Sequence, residues 1–307
     1  MALYPLKFKP IVLPKVWGSE SWVVSTCDGK DSVVTNGYLK DNTLQEIIGI
    51  YLDELIGGKV YEQYGERFPI LCKFIHVNDN LSVQVHPDDD HAEQYDSGKT
   101  EMWYVHEATD DAAILLGFNR DTSADEVRAL LHENRITDIL RRQAVQQGDA
   151  AYIPAGRVHA LCKGAHVAEI QQNSDTTYRL YDYNRPGLDG KLRPLHVEEA
   201  LRVLDFTGLD EPLLRYSAPK NEASNLVSDP HFTTNLLRLD RPLRRETDEL
   251  DSFIVYMCVA GKVRIECPDD DCESVVIGRE EAVLIPAALT SVRLVPDGEA
   301  ELLETYV

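Results

Sequence analysis

Nowhere in the 307 residues does an apolar run approach the length of about 18 that a membrane-crossing helix needs. The opening residues, MALYPLKFKPIVLPKVWG, lack the apolar core and small-residue cleavage site of a secretory signal. The chain is therefore expected in the cytoplasm, without a membrane partner. Closely spaced cysteines are missing as well. Cys27, Cys72, Cys162, Cys258, Cys267 and Cys272 form no CxxC pair, which argues against both a thiolate zinc site and a disulfide framework, so the thiols are expected to be reduced. Basic residues are scarce: 31 Lys and Arg stand against 52 Asp and Glu, a net charge of −21, which repels nucleic acid and anionic surfaces.

What is present is apolar sequence cut into short pieces. At 43% apolar residues the chain can bury a substantial core. The runs FPILCKFIHV, LSVQVH, EMWYVHEA, AAILLGF, AAYIPA, HALCK, HVAEIQQ and TTYRLYDY each end at Gly, Pro, Asn or Asp, the pattern of an all-β-dominated sandwich or barrel. SADEVRALLHENRITDILRR, residues 123 to 142, reads as a helix, with Ser123 and Glu126 as a capping box. A second helix is expected near 195 to 206.

A repeat is also visible. GDAAYIPAGRVHAL (148–161) aligns with EEAVLIPAALTSVRL (280–294), Pro154 over Pro286, and places Ser291 opposite His159. The expected organisation is two related β-barrels: 1–216 with a helical insertion, a Pro/Ser/Asn/Asp-rich linker at 217–230, and a degenerate, metal-free copy at 231–307.

The chemistry concentrates in the first copy. In SVQVHPDDDH, strand alternation puts Ser82, Gln84 and His86 on one face and Val83 and Val85 on the other. Glu101 and His159 complete a set of two imidazoles and two oxygens that suits a divalent ion such as Zn²⁺. Lys99, Asp175 and Arg179 are charged groups in the same segments.

The order LCKFIHVNDNLSVQVHPDD, GKTEMWY, DAAYIPAGRVHAL, QNSDTTYRLYDYNR resembles the type I mannose-6-phosphate isomerases in their short bacterial form, from about Trp17 to Arg193. The resemblance implies two cupin-like (jelly-roll) barrels and one zinc ion on Gln84, His86, Glu101 and His159. It also implies active-site cations at Lys99 and Arg179, an active-site acid at Asp175, and a sugar-phosphate substrate. Lys73 and Ser82 keep the nine-residue spacing of family positions that contact the substrate phosphate. The long forms carry a His before the active-site Lys and a Pro after it, where this chain has Gly98 and Thr100, and the family's Trp-Gly-Gly is Trp17-Gly18-Ser19 here.

The implied reaction is an aldose–ketose isomerisation through an enediolate, in which a cation-rich, dry site holds the developing negative charge. Asp175, neutral Lys99 and metal-bound hydroxide are all chemically able to move the proton, with Asp175 favoured for the relay. Two other classes compete. An iron oxygenase would be expected to be richer in His than this set. A sugar-binding regulator would need the ligands without Lys99, Asp175 and Arg179, and a related isomerase could take another or an unphosphorylated sugar. Oligomeric state is not legible.

Overall fold

The computed structural model describes residues 2–92, 97–268 and 272–307. It is mostly strand, as the runs predict, and the strands divide into separate sheets packed as jelly-roll sandwiches rather than closed barrels. Two compact units emerge. One comprises Val12–Ser21 and Phe74–Leu214; the other comprises the residues through Ile11, Trp22–Lys73 and Arg215–Val307.

In the first unit a five-stranded sheet runs Leu140–Ala144, Ala113–Phe118, His159–Leu161, Val83–Val85, Tyr178–Tyr181. The six-stranded sheet runs Ala150–Ile153, Glu101–Ala108, Ala165–Gln172, Ile70–Val77, Gly18–Val24, Ile11–Lys15. Trp103, Ile114, Leu116, Leu161 and Val167 fill the space between them. On the other side of the five-stranded sheet, Val83, Val85 and Leu180 pack against Val127, Ala200 and Leu201 of two helices. That two-sided burial resolves the mixed character of the opening strand: its valines meet the helices, and its polar residues face inward.

In the second unit a seven-stranded sheet (Ala223–Ser228, Thr233–Leu239, Ala300–Tyr306, Ile254–Ala260, Ala282–Ile285, Leu6–Lys9, Val33–Val34) contributes to one core with a four-stranded sheet (Leu243–Glu246, Ser291–Pro296, Lys262–Glu266, Val275–Gly278).

Several expectations need correction. The helix expected at 123–142 spans Ala124–His132, after which Asn134 adopts φ 57° and the chain becomes a short 3₁₀ turn and the strand Leu140–Ala144. Ser123 does accept from the Glu126 amide, but the Glu126 carboxylate bonds Arg120 and Thr122, which leaves the box half made. The second expected helix is Val197–Val203. Three helices, Leu44–Tyr51, Asp53–Ile56 and Gly58–Tyr64, were not anticipated, although Thr43 and Glu46 form a complete capping box. Part of the stretch expected as a linker is the strand Ala223–Ser228, paired with Thr233–Leu239, and the unit containing the C-terminal residues also draws on 22–73. Cys267 and Cys272 form a disulfide, because the ends of neighbouring antiparallel strands bring their Cα atoms to 6.1 Å; the other four cysteines are buried and outside any disulfide. No helix among the described residues is long and apolar enough to cross a membrane.

Candidate active site

Gln84 and His159 are direct register partners on the five-stranded sheet, and His86 follows where Pro87 ends the strand. Glu101 opens a strand of the opposing sheet, paired with Ile153 and Gln171. Four residues from three distant segments thereby meet inside one sandwich. Ligand-type atoms of His86, Glu101 and His159 all lie within 4.8 Å of one another, and all three residues are buried. His159 Nε2 is 3.3 Å from Glu101 Oε1, His86 Nε2 is 3.6 Å from Glu101 Oε2, and Gln84 Nε2 is 3.2 Å from His159 Nε2. Turning the Gln84 amide over presents its oxygen at the same place.

Both imidazoles are oriented from behind. His86 Nδ1–H donates to the Thr176 carbonyl and His159 Nδ1–H to the Arg157 carbonyl, each at 2.8 Å, which fixes the tautomers and leaves both Nε2 atoms as inward-facing lone pairs. Burial pushes the His159 pKa down to about 4, with the charge of Lys99 acting in the same direction, and the Arg157 carbonyl and Glu169 acting against it. The ring is neutral at physiological pH, the state a metal ligand requires. Buried, unprotonated nitrogens beside a carboxylate and an amide are the donor set of a borderline divalent cation, so the residues present fit the ion.

Cations border this group. Lys99 Nζ contacts His86 Nε2 at 2.8 Å and also donates to Glu101. Arg179 pairs in register with Gln84; its Nε donates to Ser82 Oγ at 3.3 Å and its Nη1 to the Pro194 carbonyl at 3.0 Å. Ser82 Oγ in turn donates to Gln84 Oε1 at 3.3 Å, so Ser82 bridges a ligand position and a guanidinium. The Arg179 pKa is lowered by burial and by the neighbouring Arg193 and Arg185 charges, against the opposing pull of Asp182. Asp182 is buried and gathers the two other arginines, taking paired hydrogen bonds from each.

The two remaining predicted residues are Asp175 and Lys73. Asp175 is exposed, one position before the Thr176 carbonyl that holds His86. Lys73 lies on the strand Ile70–Val77 of the six-stranded sheet, buried, with its Nζ 5.7 Å from the Trp22 ring centroid. Gly98 has a steric reason: a Cβ there would come within 2.6 Å of the Asp88 and Asp89 backbone, so this loop excludes the family's alternative His. Sequence reasoning passed over Trp103 and Glu169, although Trp103 is two residues from Glu101 and so shares its face.

Residues 12–117 match the family model described as phosphomannose isomerase type I, catalytic domain. Mannose-6-phosphate isomerase ManA of Bacillus subtilis is 37% identical over 230 residues, covering 69% of this chain and 71% of that one. The chain belongs to the type I phosphomannose isomerase family. Membership makes it an aldose–ketose isomerase. The mannose-6-phosphate isomerase of Streptococcus mutans is 31% identical over 301 residues, covering 96% of this chain and 90% of the relative. The crystal structure of the mannose 6-phosphate isomerase from Bacillus subtilis superposes with a TM-score of 0.87 at 27% identity, over 99% of this chain and 100% of that one.

Proposed function

We propose that the first sandwich interconverts mannose 6-phosphate and fructose 6-phosphate at a site that holds one zinc ion on Gln84, His86, Glu101 and His159. The observation that carries this reading is the meeting of three buried donor residues whose two histidines have their Nδ1 protons committed to backbone carbonyls. When bound, the ion supplies Lewis-acid charge that stabilises negative charge on substrate oxygens.

The chain's own residues do the rest. Lys99 is an ammonium donor at the edge of the ligand group, and Arg179 offers a planar donor fork to developing oxyanions. Asp175, in contact with solvent, is assigned the exchange of the transferred proton with bulk water. Lys73 and Ser82 are assigned to the phosphate, Ser82 acting together with Arg179. The guanidinium groups of Arg179, Arg185 and Arg193 outnumber the Asp182 and Asp79 carboxylates paired with them and supply a local positive field in a chain of net charge −21, which a dianionic sugar needs in order to approach. A phosphorylated sugar is retained inside cells, so this reading places the enzyme in the cytoplasm, and it leaves residues 231–307 without a metal.

A coupled assay converting mannose 6-phosphate to fructose 6-phosphate tests the reading. Activity is expected to vanish with a chelator and return with zinc, and kcat/KM for unphosphorylated mannose is expected to be far lower. Turnover unaffected by complete metal removal rejects the metal assignment.

A further inference from the structure

Arg179 depends for its placement on a segment that follows it. Residues 182–196 loop away from the strand Tyr178–Tyr181 and return to it: the His196 amide donates to the Arg179 carbonyl at 2.8 Å, and the Arg179 amide donates to His196 Nδ1 at 3.2 Å. The returning end also carries the Pro194 carbonyl that accepts from Arg179 Nη1. Ser82 holds one side of the guanidinium through Nε and Pro194 holds the other, and among the described residues Nη2 is left without a partner.

Apolar burial does not hold this loop. Among residues 183–195, all of them described, none is buried, and Leu188, Leu192 and Leu195 are 71%, 65% and 49% exposed. The loop also opens with Tyr183 at φ 56° and Asn184 at φ 52°, a left-handed backbone that bulky side chains rarely adopt. Its strongest anchors are polar and meet at Asp182, which is 5% exposed. Asp182 Oδ1 accepts from Arg185 Nε and Nη2 and from Arg193 Nη2, while Oδ2 accepts from Arg193 Nε at 2.6 Å. Arg193 directly precedes Pro194, whose ring limits its own backbone, so pinning Arg193 sets the carbonyl that Arg179 uses. Arg185 reaches on to Asp79 Oδ2 at 3.1 Å, in the turn that leads to Ser82. Beyond this knot the loop is tied by an exposed bond from Asn184 to Asn134 and a ring contact between Tyr183 and Tyr181.

We propose that Asp182 is a positioning residue for Arg179: it pins Arg193, and with it the Pro194 carbonyl, so that the guanidinium presents its remaining N–H groups to the sugar phosphate in one orientation. The proposal rests on the reading above that Arg179 donates to developing oxyanions. The charges give it a specific signature. Asp182 is the carboxylate shared by Arg185 and Arg193, so neutralising it makes the surroundings of a dianionic substrate more positive. Lost placement therefore falls on kcat and leaves KM no higher.

The test is a double-variant cycle in turnover of mannose 6-phosphate by the full chain at saturating zinc. Asp182→Asn keeps the side-chain shape and removes the charge that pairs with both arginines; it is expected to lower kcat by about tenfold without raising KM. In an Arg179→Ala background the same substitution is expected to change kcat by less than about twofold, because no guanidinium remains to be placed. Arg193→Gln, at the half-buried other end of the pin, takes its place in the same cycle should Asp182→Asn fold poorly. An Arg179→Ala variant as active as wild type defeats the reading of Arg179 itself. With Arg179→Ala impaired, a fully active Asp182→Asn overturns this inference alone, as does a loss confined to KM or a loss of equal size in both backgrounds.

Discussion

The two sandwiches share one architecture and differ in what fills the same inward positions. Where the first has Gln84, His86, Glu101 and His159, register counting puts Arg245, Thr247, Ile254 and Val292 in the second. Three of the replacements are groups that need no metal, and the fourth is a guanidinium already paired with Glu304. The fold therefore does not depend on the ligand set. A jelly-roll interior can be closed either by an apolar core with one neutralised ion pair or by a polar cluster completed by a cation. The comparison also refines the alignment drawn from sequence: His159 and Ser291 both open their strands five residues after a proline, but the residue that faces the core and pairs with Arg245, as His159 pairs with Gln84, is Val292.

The comparison breaks most visibly at the ligands. Glu101→Ala is expected to abolish stoichiometric metal and to lower kcat by at least roughly 10²-fold, whereas Ile254→Ala in the other sandwich leaves metal content intact. Elemental analysis with the isomerase assay decides it, and a metal-replete Glu101→Ala would remove that residue from the site.

Next in size is the ion pair of the second sandwich. Arg245→Met strands the Glu304 carboxylate in the core and is expected to cost about 3–5 kcal/mol in denaturant titration, with metal content unchanged. The double variant Arg245→Met/Glu304→Leu should recover much of that loss. A double variant as unstable as the single one contradicts the account of a neutralised charge.

Acid should separate the halves. The His159 pKa of about 4 lies below its ordinary value of 6.5, so between these values the folded chain holds fewer protons than the unfolded chain. The stability from its neutral ring is complete above about pH 6.5 and is lost as the pH falls toward 4, a change of roughly 3 kcal/mol in metal-free protein. Val292 does not titrate, so no such loss arises at that position in the second sandwich. Denaturant titrations of metal-free wild type and His159→Gln from pH 7 to 4 measure the difference, and parallel pH profiles would refute it.

The smallest effect concerns the unanticipated helices. Thr43→Ala removes the hydroxyl half of the capping box, leaving the backbone amide of residue 43 to donate to Glu46, and is expected to cost about 1 kcal/mol with no change in zinc affinity or kcat. Thermal melts and the metal titration check both parts.

How much of this was legible in the sequence follows from the range of the interactions involved. Strand alternation is local, so Glu101–Ala108 was readable to the residue, as was the polar face at 82–86. The ligand grouping was readable from residue types and family resemblance. The helices between 44 and 64 were missed because the capping box went unread, and the expected helix at 123–142 was too long because Asn134 terminates it through a left-handed backbone that its apolar periodicity does not report. The Cys267–Cys272 bridge depends on strand pairing, and the Glu169–Trp103 pair depends on contact between neighbouring strands, neither of which a linear pattern displays. Asp175 and Lys73 were placed by family resemblance alone; Asp175 is exposed, and Lys73 is buried on the strand Ile70–Val77.

The central claim is that one of two related sandwiches carries a metal and the other carries an ion pair in its place. Metal stoichiometry of the purified chain, measured for wild type and for His159→Ala, tests it most directly. The account predicts one divalent ion per chain in wild type and none in His159→Ala. Two ions in the wild type, or an ion fully retained by His159→Ala, would contradict it.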